Sequence, residues 1–166
     1  MDIAANPVTS RTIDGLGVLA RILMTSDGTV TIMLEQIVGE PIATEGIAHS
    51  VAPVDPDTAA ALSYPVTGLV RRTTRLVGAA TGRLYVRATS VFAPDALPTR
   101  VCTALNRTDE PIGRLLRRER VESFREILDI DVDTPEPRRR YVIRIGGRPA
   151  VHIEEIFTAS CFPATS

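Results

Sequence analysis

Residues 141–157, YVIRIGGRPAVHIEEIF, form two alternating apolar segments on either side of Gly146-Gly147. Paired glycines between such segments suit a two-residue hairpin turn, whose central residues need positive φ. The chain is therefore committed to an antiparallel strand pair. In the second strand Val151, Ile153, Glu155 and Phe157 share one face, opposite His152, Glu154 and Ile156. Glu155 is thus directed at the core. A carboxylate there needs an arginine, hydrogen-bond donors, a ligand hydroxyl or a proton of its own. A Glu155–Arg72 ion pair that only supports the fold would meet the same need.

A second hairpin is expected from alternation over residues 66–77 and 83–92, joined by a turn at 78–82. Arg72 keeps register with Val66, Val70, Thr74 and Leu76 and so points with the apolar set, whereas Arg71 and Arg75 share the other face. A register slip of one residue would reverse the assignment.

Around these hairpins, the three- and four-residue spacing of Ile13, Leu16, Leu19, Ala20 and Leu23 predicts a helix over 9–24. After the Thr25–Gly28 turn, alternation of Val30, Ile32 and Leu34 predicts a strand over 29–38, with 41–51 as its strand partner. Helices are expected over 55–63, capped by Asp55 or Asp57, and over 100–105 and 111–120. Strands are expected over 124–132, 140–145 and 150–157. The sum is one α+β domain over residues 1–166, an antiparallel sheet of five or six strands with helices.

Composition narrows the chemistry. All nineteen basic residues are arginine, so a Schiff-base lysine is excluded. Arginine does suit planar carboxylate recognition. A net charge of −1 provides no general attraction for nucleic acid or an anionic membrane. Arg114, Arg117, Arg118 and Arg120 read as a solvated helix face, without the aromatic platforms of a nucleic-acid surface. His49 and His152 fit no metal-binding spacing, and Gly15-x-Gly17 follows no strand. Cys102 and Cys161 lack CxxC spacing and read as free thiols in a reducing compartment. With no secretory leader and no apolar run long enough to span a bilayer, a cytoplasmic protein is expected.

Several segments together resemble the chorismate pyruvate-lyase (4-hydroxybenzoate synthase) family, in particular its actinobacterial branch. They are SDGTVT at 26–31, residues 69–82 leading into 85–90, EPIGRLL at 110–116, SFREIL at 123–128, and GGRP at 146–149 running through EIF at 155–157. The resemblance implies a six-stranded antiparallel sheet with helices covering a small internal ligand pocket. It also implies a lyase that converts chorismate to 4-hydroxybenzoate and pyruvate with no redox cofactor or metal. The family's acidic residue falls on Glu155 and its carboxylate-binding arginine on Arg72, with Arg75 as the alternative. Its ligand-holding backbone amides fall in the region of Gly28 and Thr29 and at Ile112 and Gly113. A different class remains open, because effector domains of certain transcription regulators resemble the same fold and bind small molecules without turnover. Those normally follow a helix-turn-helix domain, for which the residues before Thr9 leave no room within this chain. A lyase acting on another chorismate-derived compound is the nearer alternative.

Overall fold

The computed structural model describes residues 16–51 and 53–162. Its elements in chain order are helices α1 (Val18–Thr25) and α2 (Val30–Val38), strand β1 (Ile42–Ser50), helix α3 (Pro56–Ala61) and strands β2 (Val70–Gly78) and β3 (Leu84–Phe92). Helices α4 (Thr99–Leu105) and α5 (Ile112–Arg118) follow, then strands β4 (Ser123–Asp131), β5 (Arg138–Ile145) and β6 (Arg148–Phe157). The strands form one antiparallel sheet in the order β1-β2-β3-β6-β5-β4. Both expected hairpins are present: β2 pairs β3, and β5 pairs β6 through Gly146 and Gly147, whose φ values are 58° and 77°. Those positive values explain why the turn needs glycine.

One expected strand is a helix. Residues 29–38 were assigned by alternation, yet they form α2, and β1 pairs with β2 instead of with this segment. The run VTIMLEQIV is apolar on so many positions that it satisfies both periods. The buried set Val30, Thr31 and Leu34 follows the helical one. Gly39, at φ 73°, closes the helix in the left-handed conformation. The first helix is described from Val18, so its expected portion before residue 16 lies outside the described residues. Asp55 caps α3 as expected, its Oδ1 accepting from the Thr58 amide at 2.9 Å.

Two apolar clusters fill the helix side of the sheet. One joins Val101, Leu105, Leu115 and Leu116 to Ile143 and Val151, and the other joins Leu23, Met24 and Leu34 to Val86 and Phe157. Their members Ile112, Tyr141 and Ile153 on one side, and Val30 and Leu76 on the other, border a polar cavity between them. The seam of the core is where the polar residues collect. Cys102 and Cys161 are free thiols. Among the described residues no helix is long and apolar enough to cross a membrane.

Candidate active site

Glu155 faces inward, as the alternation requires, and is 3% exposed. Its partner is Arg139, not Arg72: Nε of Arg139 donates to Oε2 at 2.7 Å, and the Tyr141 hydroxyl donates to Oε1 at 2.9 Å. Arg139 is 1% exposed and also donates through Nη1 to the carbonyls of Leu23 (2.8 Å) and Ser26 (2.9 Å). It therefore ties the end of α1 to the sheet. Burial opposes the Arg139 charge, but Glu155 and Tyr141 outweigh it and hold the pKa above the ordinary arginine value. Burial, with the Glu155 charge next, pushes the Tyr141 phenol upward, so Tyr141 is a hydrogen-bond donor at any working pH. Each Glu155 oxygen retains a second lone pair. Because Glu155 lines the cavity, a ligand hydroxyl has an acceptor there.

Arg72 also faces inward, and it differs from Arg139 in what surrounds it. Its Nη2 donates to the Glu110 carbonyl at 3.0 Å, its buried Nε has no partner, and among the described residues no carboxylate forms a salt bridge with it. Burial lowers its pKa, opposed by the more distant charge of Asp109. A buried cation left in this state is poised for an anion.

The cavity that Arg72 and Glu155 share has a volume of about 30 Å³. Room of that size holds about two or three water molecules. A ring-sized ligand needs more room than that, so the lining has to give way for one to enter. The covering helices present two N-termini, Thr29–Val30–Thr31 of α2 and Pro111–Ile112–Gly113 of α5, and neither has a side-chain cap. Their first-turn amides are available to a carboxylate. Arg114 on α5 pairs with Glu35 on α2 and joins the two covers.

Of the residues expected at the site, Glu155, Arg72, Thr29, Ile112 and Gly113 line this cavity. Gly28 does not, and its amide is already engaged by Ser26 Oγ at 3.0 Å. Arg75 is exposed on the opposite face, against Gly46, and is not part of the cavity. Three participants escaped the sequence reading: Arg139, Tyr141 and Arg125, the last on β4 at the cavity rim. Alternation in 140–145 carried Tyr141 inward with Ile143, a signal that went unused.

A six-stranded antiparallel sheet roofed by helices is the chorismate lyase-like α+β fold. The fold is similar to the crystal structure of PhnF from Mycobacterium smegmatis, at a TM-score of 0.61 and 14% identity over 85% of this chain and 68% of that one. The effector domain of PhnF superposes at a TM-score of 0.58 with 14% identity, covering 79% of this chain and 88% of that one.

Sequence then selects the family within this fold. Residues 24–162 match the family described as Chorismate pyruvate-lyase Rv2949c-like, and the chain belongs to it. It is 29% identical over 160 residues to a chorismate pyruvate-lyase of Mycobacterium leprae, covering 87% of this chain and 76% of the relative. A chorismate pyruvate-lyase of Mycobacterium tuberculosis (strain H37Rv) is 26% identical over 160 residues, covering 86% and 80%.

Proposed function

We propose that this chain is a cytoplasmic, cofactor-independent carbon–oxygen lyase that converts chorismate to 4-hydroxybenzoate and pyruvate. The observation that carries this reading is Arg72, a buried arginine that has no carboxylate partner among the described residues and shares a cavity with Glu155. Chorismate has a ring carboxylate and, across the ring, a hydroxyl. With Arg72 and the amides near Thr29, Ile112 and Gly113 at the carboxylate, and Glu155 at the hydroxyl, the ring is held between two poles.

The reaction breaks the ether bond between the ring and the enolpyruvyl group. The hydrogen on the carbinol carbon leaves as a proton, its electron pair completes the aromatic ring, and the departing enol takes up a proton to become pyruvate. No net oxidation occurs, and aromatisation drives the step. The protein's contribution is to hold a reactive conformer, exclude water and stabilise negative charge growing on the ether oxygen.

The test is incubation of purified protein with chorismate, followed by chromatography of both products, with Glu155→Ala and Arg72→Ala alongside. Equimolar 4-hydroxybenzoate and pyruvate from the wild type, lost in both folded variants, is the expected result. Saturable binding without turnover would replace the lyase with a sensing domain.

A further inference from the structure

We infer that Arg125 binds the second carboxylate of the substrate, the one that departs with pyruvate, and so makes the site selective for a dianion. This rests on the chorismate reading above and deepens it. Among the described residues three charged side chains line the cavity: Arg72, Arg125 and Glu155. Glu155 is matched by Arg139 at 2.7 Å, so the pair adds no net charge. Arg72 and Arg125 remain, and among the described residues neither forms a salt bridge with a carboxylate. Two unmatched cations correspond to a ligand of charge −2.

The position of Arg125 also separates its role from that of Arg72. With the buried Arg72 and Glu155 at the two poles of the ring, as proposed above, the ether substituent is left to project to the side. Arg125 is half-buried on the edge strand β4. It borders both the cavity and an adjoining surface cleft of about 340 Å³, with Thr29 and Gly113 as the other shared walls. Among the described residues its guanidinium has little competing work: Nε is buried without a partner, and Nη1 reaches the Asp27 carbonyl, at 3.5 Å. Nη2 lies beside Gly113, where a methyl group would come within 3.1 Å of it. A glycine at that position leaves room for the guanidinium at the rim. The group held by Arg125 is thus the one nearest the outside, as suits a fragment that is released.

The experiment compares chorismate with 4-hydroxybenzoate, which lacks the second carboxylate, on wild type, Arg125→Met and Arg125→Lys, with thermal unfolding recorded for each. Losing a charge-assisted hydrogen bond at a half-buried position costs on the order of tenfold in affinity. Arg125→Met is expected to raise the KM for chorismate by about that factor while the Kd for 4-hydroxybenzoate changes by less than about twofold. Arg125→Lys, which keeps the charge but loses the planar fork, is expected to fall between. If Arg125→Met does not fold, the same comparison is decided on the lysine variant. An unchanged KM, or equal weakening of both ligands, would overturn the assignment. A wild type that neither binds nor cleaves chorismate would instead sink the underlying reading, and this inference with it.

Discussion

Glu155 and Arg139 form a buried ion pair across β5 and β6, Oε2 to Nε at 2.7 Å, with side chains 3% and 1% exposed. Removing either partner leaves an uncompensated charge in the core, which costs about 3–5 kcal/mol, whereas replacing both with apolar groups of similar volume is close to neutral. Glu155→Met and Arg139→Met are each expected to lower the urea midpoint strongly, and the double variant to be clearly less unstable than the sum of the two, though still below wild type because the Leu23 and Ser26 carbonyls lose their donor. A double variant as unstable as the sum of the singles would show that the pair is not coupled. The cycle also bears on catalysis, because loss of activity in Glu155→Ala is informative only at temperatures where that variant is folded.

Arg72 should show the opposite balance of stability and function. Its lowered pKa means that folding carries the cation against its preference, first through burial, with Asp109 opposing. Arginine is not deprotonated in proteins, so Arg72 stays a cation in both states and the penalty is constant with pH. Arg72→Met removes that penalty and forfeits one hydrogen bond, to the Glu110 carbonyl. The variant is expected to be as stable as wild type or more so, by about 1–2 kcal/mol. Its chorismate turnover should fall by about a hundredfold or more. Denaturant unfolding and product formation on the same preparation check both halves, and a marked loss of stability would refute the description of Arg72 as an unmatched charge.

These two arginines also mark how far the sequence could be read. Alternation around Leu76 turned Arg72 inward because that hairpin is regular between residues 70 and 76. Glu155 was found for the same reason. Arg139 was missed because strand β5 begins at Arg138, two residues before the expected start, in an RRR run with no apolar pattern to place it. Register compounds the difficulty. The Gly146-Gly147 turn pairs Ile145 with Arg148 and Arg144 with Pro149, which extrapolates to Arg139 opposite Glu154. A bulge at Ala150 shifts Ile143 onto Val151 and brings Arg139 opposite Glu155. A single extra residue thus decides which glutamate is paired, and local periodicity does not reveal it. The misassigned strand at 29–38 has another cause: its short apolar run fits both periods, and only packing against Leu76 and Tyr85 selects the helix.

The Arg114–Glu35 pair fastens α5 to α2 over a cavity too small for a ring, so any separation of these two helices to admit substrate or release product has to break it. Both side chains are partly exposed, and such pairs contribute about 0–1 kcal/mol, which corresponds to a factor of up to about five in rate. Arg114→Gln is expected to accelerate 4-hydroxybenzoate release by up to that factor and to weaken product inhibition in parallel. Stopped-flow displacement of bound 4-hydroxybenzoate measures the release directly. A release rate equal to that of wild type would show that the covers open without breaking this pair.

His152 predicts a pH dependence of stability that is independent of the cavity. It is 8% exposed, on the outer face of the sheet beside Asp55, Thr58, Arg71, Arg140 and Glu154. Burial disfavours its cation and lowers its pKa from 6.5; Arg140 adds to this, while Asp55 and Glu154 oppose it. The unfolded chain therefore takes up a proton at higher pH than the folded protein does. Stability is complete above about pH 6.5 and is lost as pH falls from there toward the folded value. The carboxylates with lowered values act in a lower window: Glu35 and Glu40 below 4.5, and Asp55 below 3.8. Urea midpoints between about pH 7.5 and 5.5 isolate the histidine contribution. Wild type is expected to weaken over that range and His152→Gln to change much less, and equal slopes for the two proteins would assign the dependence to other groups.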